Sequence, residues 1–469
     1  MARILIAISA DIYVRNYLRT DALHLLSRDN EVTVIADESL ALAAEVQEHP
    51  DFGGFFGLDP AIKSKHSLLF SLLMWRRRKK SPTFLYRWMR NSQWDLLDRD
   101  HGPLRWLLSF VRWIPGALVS PSGLRVPALG NPLVFGIAKA ALVRQLSINP
   151  ELSALVRAQD YDIIVFPSAA FDSVSVDLTR LGQELAIPTL CLIDNWDNLT
   201  SKTSFWTKPD HLGVWGEQAR EQAARIHGFL PDRVHPIGTP RFDQYFSSRK
   251  TPNSSPLYPF PYLLFVGSAM PFDEIATLHH VERTLARLES VPPGLKIVYR
   301  PHPWQQKRKT DSEFRPAEFL RTVLDAQIAE AYASGMRREV TDPSFQPDLD
   351  YYPRLFQGAT AVIGPLTTML FEGALALKPV MGLAYDDGHH ANTSRRYFTH
   401  FDGVEAIPSF VICETQEEMP TALSALFAGD PIEAETSDSH TAYFLHQDGL
   451  GYPTRLKNLV QYVSGTGDK

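Results

Sequence analysis

The sequence predicts an α/β protein of two parallel-sheet domains, and three observations predict it. Short buried-strand patterns alternate with helical patterns along both halves, the signature of crossover helices joining parallel strands. At 469 residues the chain is too long for one ordinary core. A stretch dense in Pro and Ser at 247–261 separates the two runs of alternation, with the composition of an exposed linker.

The first run opens with a buried strand at Ile4–Ile8, passes through a helical pattern at Leu18, Leu23 and Leu26, and returns as a strand at Glu31–Ile35. Tyr161–Phe166 and Ile187–Ile193 continue it. After the linker, strands at Tyr262–Val266, Leu295–Tyr299, Ala359–Ile363 and Pro379–Leu383 interleave with helical patterns at Leu278–Leu288, through Leu320 and Ile328, and from about Thr367. A late helix lies near Leu456–Tyr462. The expected organisation is an N-terminal domain over 1–248 with a helical insertion at about 61–150, a C-terminal domain over 262–440, and a helix and tail over 441–469 packing back on the first domain.

Composition narrows the class of function. With 44% hydrophobic and 21% charged residues the chain is a folded protein rather than a disordered one. A net charge of −6 supplies no global attraction to nucleic acid, so no nucleic-acid partner is expected. Cys191 and Cys413 are the only cysteines, too few for a disulfide framework or a cysteine zinc site. The apolar N-terminal run passes into Ser9 and Asp11 without a cleavage site, and no stretch reaches the roughly 20 apolar residues of a spanning helix. The expected location is the cytoplasm.

In an open parallel sheet, ligands bind beyond the carboxyl ends of the strands, so polar residues that directly follow a strand carry the functional weight. Arg300-Pro-His302-Pro follows Leu295–Tyr299; a histidine between two prolines has a restricted backbone and, with Arg300, presents donors suited to a phosphate. Gly364-Pro-Leu-Thr367-Thr368 stands between a strand and an apolar helix, where free amides and hydroxyls suit an anion and where either threonine also serves as an N-cap. Glu372, one turn further on, offers a carboxylate to the two hydroxyls of a ribose. Asp194-Asn-Trp196-Asp197-Asn198-Leu-Thr-Ser-Lys202 follows Ile187–Ile193 as a dense polar cluster, with Trp196 as a stacking face for sugar and Asn198 and Lys202 as further contacts. Asp11 lies in the loop after the first strand, and Asp11, Asp194 and Asp197 remain open as the general base for an acceptor hydroxyl.

The Arg-Pro-His-Pro element, together with Thr-Thr-x-x-x-Glu-Gly-Ala-Leu-Ala-Leu-Lys-Pro-Val, resembles the donor half of bacterial GT-B glycosyltransferases that build surface polysaccharides. Capsule Kdo transferases, sialyltransferases and CDP-glycerol glycerophosphotransferases share the pattern, and UDP-N-acetylglucosamine 2-epimerases resemble it more distantly. The resemblance covers mainly residues 262–388, with Ile237–Asp243 adding to it. It implies two Rossmann-like domains facing a central cleft, an acceptor-side N-terminal domain and a nucleotide-sugar donor domain after it. It also implies transfer of a sugar, with a lean to a CMP-linked donor, to a cell-surface polysaccharide or lipid-linked glycan. Polyol-phosphate transfer from a CDP donor and epimerisation of a UDP-sugar are the alternatives. By the same resemblance His302 contacts the donor phosphate and acts in catalysis, Thr367 and Thr368 hold that phosphate, and Glu372 binds the ribose. The acidic Asp/Glu-Asp/Glu-Gly element of sialyltransferases is spelled here by Asp386-Asp387-Gly388, in the C-terminal rather than the N-terminal half.

No cofactor beyond the nucleotide sugar as co-substrate is expected, and no metal. Asp98-Arg-Asp100 and Asp348-Leu-Asp350 spell the DxD of metal-dependent transferases, but neither follows a strand pattern. Residues 61–112 carry twelve Lys or Arg against three Asp, with Arg76–Lys80 beside Phe70, Leu73 and Trp75, and Trp88, Trp94, Trp106 and Trp113 following. That basic and aromatic mixture predicts peripheral contact with an anionic membrane at its inner face, without spanning it.

Overall fold

A computed structural model of the chain describes residues 1–58, 60–77, 79–91, 131–250, 256–268, 272–302, 314–333, 348–387, 394–429 and 431–466. The described residues fall into two compact units, the first holding those within 1–91, 131–243 and 442–466, the second those within 244–441.

The first unit is a seven-stranded sheet in the order β3-β2-β1-β4-β5-β6-β7, with every pairing parallel. Its strands are β1 (Arg3–Ile8), β2 (Glu31–Asp37), β3 (Phe52–Phe56), β4 (Ile163–Ser168), β5 (Thr189–Ile193), β6 (His211–Val214) and β7 (Val234–Pro236). Alternate side chains of β1 serve opposite cores, as the two-residue period of a strand requires. Ile4, Ile6 and Ile8 pack with Tyr452, Leu456 and Val460 of the C-terminal helix Tyr452–Ser464. Leu5 and Ala7 pack with Val174, Leu178 and Leu181 of the Ser173–Leu185 helix. Both faces are therefore covered, and the strands read as continuous apolar runs.

The second unit is a six-stranded parallel sheet in the order β10-β9-β8-β11-β12-β13. Its strands are β8 (Tyr262–Val266), β9 (Lys296–Arg300), β10 (Thr322–Leu324), β11 (Ala361–Pro365), β12 (Val380–Leu383) and β13 (Phe410–Cys413). Leu263 and Phe265 share one core with Leu278, Val281 and Leu285 of the Glu274–Leu285 helix.

Several elements differ from the sequence reading. The expected helical stretch through Leu320 and Ile328 is strand β10 followed by the Ala326–Ala333 helix, and Leu320 is 99% exposed, so the two residues never shared an apolar ridge. The division between units falls at Asp243/Gln244, ahead of the Pro- and Ser-dense stretch. The reason is side-chain anchoring: Tyr245 donates to Glu372 (2.6 Å) and Arg249 to Asp438 (2.7 Å), all in the second unit.

The insertion begins with helices Pro60–Arg77 and Pro82–Asn91, and residues 92–130 lie outside the described residues. Phe70 and Leu73, expected at a membrane surface, are instead buried, Leu73 in a cluster with Leu69, Leu72, Met74, Phe84, Leu146 and Ile226. An amphipathic helix sends that side inward. The expected interfacial residues Trp94, Trp106 and Trp113 lie outside the described residues, as does Asp98-Arg-Asp100.

The insertion also meets the Ser173–Leu185 helix through a buried pair. His66 Nε2 stands 3.9 Å from Asp177 Oδ1, and Asp177 Oδ2 accepts from the Asn149 amide (3.1 Å). Burial pushes the Asp177 carboxyl up to about 7, while burial, aided by Arg180, pushes His66 down to about 4. Unfolded, the two titrate near ~3.9 and ~6.5. Between those limits the native pair keeps one proton on Asp177 and the unfolded chain one on His66, so the pair contributes no net slope of stability with pH. Asp177→Asn removes the native proton while the unfolded histidine still binds one. Its stability is then expected to rise with pH from about 4 to about 6.5, by up to ~1.4 kcal/mol per pH unit relative to wild type. Denaturant unfolding at several pH values reads this directly, and parallel profiles for the two proteins would refute it.

Candidate functional site

Each sheet reverses its strand order once, between β1 and β4 and between β8 and β11. At such reversals the loops after the strands part and leave a crevice at their carboxyl ends. The sequence-predicted site residues lie at or beyond the ends of strands of these two sheets, with Arg300 the last residue of β9 and Glu372 inside the helix after β11.

In the second unit, backbone makes the floor. Gly267 follows β8 and donates to the Arg300 carbonyl (2.8 Å); a Cβ there would lie 2.7 Å from the His302 nitrogen. A Cβ on Gly364, in β11, would lie 2.1 Å from the Val266 carbonyl oxygen. Only glycine permits these approaches, which draw the ends of β8, β9 and β11 together. Glu274 braces the floor by accepting from the Ser268 amide and the Tyr299 hydroxyl, each at 2.8 Å.

Beside this floor, His302 is half-buried. Thr367 is the N-cap of the Thr368–Leu375 helix in an extended conformation, but its hydroxyl makes no capping bond. Both threonines are half-exposed. The start of this helix thus keeps amide donors and the positive end of its dipole without a side-chain cap, the arrangement that suits an anionic oxygen.

Two expected donor contacts are used differently. Arg300 is buried, and its guanidinium donates to Asp325, to Gln327 Oε1 (2.8 Å) and to the Tyr352 hydroxyl (2.8 Å) while lying over the Tyr352 ring. Asp325 also accepts from Tyr258 (2.7 Å) and Tyr351. The expected phosphate contact from Arg300 is therefore corrected to a bracing role, because the charge is already met inside the unit. Glu372 is buried too, and the Tyr245 hydroxyl occupies its Oε2, so this carboxylate does not stand open to a ribose. Asp387 accepts from the Asp273 amide (2.8 Å) at the start of the Glu274–Leu285 helix, in the second unit.

In the first unit the β4 loop is held tightly. Ala170 adopts a left-handed backbone at φ 49, a conformation that costs a non-glycine residue about 1 kcal/mol or more. Four bonds hold the loop: the Ala169 amide to the Tyr13 hydroxyl oxygen (3.0 Å), the Ala170 amide to Ser168 Oγ (2.8 Å), Thr203 Oγ1 to the Ala169 carbonyl (2.7 Å), and the Ser204 amide to the Ala170 carbonyl (3.0 Å).

The three candidate carboxylates then separate. Asp194, at the end of β5, accepts from Asn16 (3.1 Å) on one oxygen and Asn195 (3.0 Å) on the other, while its carbonyl accepts from the Trp215 indole (3.0 Å). Burial raises its pKa above the usual carboxylate value, with Lys202 and Arg241 pulling the other way. Asp197 accepts from Ser201 Oγ (2.8 Å) and its carbonyl starts the short Asn198–Ser201 turn of helix. Asp11 accepts from the adjacent Ile12 amide (2.8 Å).

Trp196 is corrected from a stacking face to a core residue: it is 2% exposed and packs edge-on against Phe444. Asn198 is fully buried, and neither amide atom meets a hydrogen-bond partner among the described residues. Such a group in a native fold calls for an explanation, and contact with a bound polar molecule is one. Sequence reasoning missed Asn16, five residues beyond Asp11, and Arg241, which lies in the Ile237–Asp243 stretch it had singled out. Nothing local marks which residue of a loop turns toward Asp194.

Neither a protein-family model nor a curated protein matches the chain. Among solved structures it is similar to the UDP-GlcNAc 2-epimerase from Methanocaldococcus jannaschii, at 10% identity over 98% of this chain and 99% of that chain, with a TM-score of 0.50. It is similar also to the S. aureus MnaA–UDP co-structure, at 10% identity over 98% and 96% of the two chains, with a TM-score of 0.50. At such identity the likeness shows the fold alone: α/β, with two Rossmann-like parallel sheets of the GT-B class.

Proposed function

We propose that this chain transfers a sugar from a nucleotide-activated donor to a cell-surface polysaccharide or lipid-linked glycan. The observation that carries the reading is the glycine-lined floor beside His302 and the uncapped start of the Thr368–Leu375 helix, where a nucleotide phosphate finds amide and hydroxyl donors and the positive end of the helix dipole. The second unit holds the donor and the first the acceptor. In the inverting form of the reaction Asp194 takes the proton of the acceptor hydroxyl, the oxygen attacks the anomeric carbon, and the bond from that carbon to the phosphate oxygen breaks. His302, Thr367, Thr368 and the helix amides meet the charge left on the nucleotide. Asn198 and Lys202 contact the acceptor, and the basic residues of 61–112 bring the protein to the anionic membrane that carries it.

A panel of CMP, CDP, UDP and GDP donors with acceptor mass as the readout tests the reading. CMP-sugars are the first choice, and UDP-sugars follow because the S. aureus neighbour is a UDP co-structure. A mass-neutral change in the donor without acceptor would instead support an epimerase, the activity that the M. jannaschii neighbour's name carries. In the active assay, His302→Ala is expected to lose about tenfold or more in transfer with its fold intact, in the usual range for one phosphate-side donor. Normal turnover by a folded His302→Ala protein would remove His302 from the site.

A further inference from the structure

The helix Pro132–Arg144 is apolar on two sides. Phe135, Ala138, Leu142 and Val143 pack inward on the cluster of Leu69, Leu72, Leu73 and Phe84. Outward, Leu133 is 72% exposed and Ile137 63%, and Ala140, Ala141 and Arg144 are exposed on the same stripe at helical spacing. One such residue on a surface is ordinary, but a stripe of them on a helix anchored along its other side is a face without a partner among the described residues.

Its surroundings say what fits it. Residues 60–91 and 131–144 hold eleven Lys and Arg and no Asp or Glu, while the whole chain is at −6, which leaves a net −17 on everything else. Lys63, Lys65, Lys79 and Lys80 are exposed, and the Arg76 guanidinium lies over the Phe135 ring, 4.9 Å from its centroid. A second copy of this face would meet its own positive charge. A nucleic acid would match the cations but leave the aliphatic stripe in water. No helix among the described residues is long and apolar enough to cross a membrane.

We infer that the outward face of the Pro132–Arg144 helix docks on an anionic lipid bilayer, with Leu133, Val134 and Ile137 entering the boundary between headgroups and acyl chains and the surrounding cations meeting the headgroups. This rests on the peripheral attachment in the proposed function and names the element that makes it, one outside the 61–112 segment. Apolar insertion supplies contact area and the cations supply selectivity for negative lipid, two separable contributions.

The test is co-sedimentation of the full chain with neutral phosphatidylcholine vesicles and with vesicles carrying about 30% phosphatidylglycerol, at about 0.05 and 0.5 M salt. Wild type is expected to bind the anionic vesicles and to be released by salt. Leu133→Ser/Ile137→Ser is expected to lose about tenfold or more in partitioning, with unchanged circular dichroism because both positions are exposed. Lys79→Gln/Lys80→Gln/Arg144→Gln is expected to lose the preference for anionic lipid. Unchanged partitioning of the serine variant, or equal wild-type binding to both vesicle types, overturns the inference. So does a wild-type dimer in solution that the serine variant dissociates, which would assign the face to a second copy. A thermal-shift measurement with CMP and UDP on the same preparations reads the transfer proposal independently: vesicle binding without a nucleotide response keeps the docking face and removes the donor site.

Discussion

Asp194→Asn is expected to lower turnover by about 10²–10⁴-fold while leaving nucleotide binding in place, the range seen when a positioned general base is removed. Asp194 combines what that role asks for. It sits at the end of β5, its oxygens are oriented by Asn16 and Asn195, and burial raises its proton affinity above that of an exposed carboxylate. Asparagine keeps the shape and the contact with Asn16, and the Asn195 amide can turn to donate elsewhere, so the loop should survive. A base must be ionised, so kcat/KM of the wild type should fall as pH falls through the raised pKa of Asp194, and the variant should lose that limb. Asp197→Asn and Asp11→Asn should be far milder, because their carboxylates serve the Ser201 hydroxyl and the Ile12 amide. Wild-type turnover by Asp194→Asn would end the assignment. Loss of its thermal shift with nucleotide, together with lost turnover, would mark Asp194 as a structural residue instead.

How much of this was legible depends on the range of the interactions involved. Strands such as Ile4–Ile8 and Tyr262–Val266 announce themselves because a strand buried on both faces needs only its own apolar run. β3 does not, since Phe52-Gly-Gly-Phe-Phe carries two residues that weaken any strand pattern and owes its place to pairing with β2. β7 and β10, at three residues each, are shorter than any window of periodicity. The position of His302, Thr367 and Asp194 after strands was readable for the same local reason.

Side-chain direction was not. Whether Arg300 points to a ligand or into the wall depends on Asp325, Gln327 and Tyr352, and whether Trp196 is a platform or a core residue depends on Phe444, near the far end of the chain. Those partners meet only when the sheet has formed. Glu372 shows the same limit: its pattern of neighbours is a donor-site pattern, yet the Tyr245 hydroxyl reaches it from a segment whose composition reads as the approach to a linker.

The Arg300 correction carries the largest expected effect on stability. Arg300 and Asp325 are both buried, and the guanidinium is shared among a carboxylate, an amide and a phenol, so the charge is compensated only while every partner is present. Arg300→Ala leaves Asp325 buried with, among the described residues, the Tyr258 and Tyr351 hydroxyls alone to hold its charge, and a broken buried pair of this kind costs about 3–5 kcal/mol. Asp325→Asn leaves the guanidinium uncompensated and should cost a similar amount. The double variant Arg300→Ala/Asp325→Asn removes both charges together, and its loss should be clearly smaller than the sum of the two single losses, by about 1–3 kcal/mol of coupling. Denaturant unfolding of the four proteins completes the cycle. A bracing role also predicts that donor KM changes little in whatever fraction of Arg300→Ala remains folded, whereas a phosphate contact predicts a rise in KM with stability near wild type. Additive single losses, or a stable Arg300→Ala protein with a raised donor KM, would return Arg300 to the ligand and undo the correction.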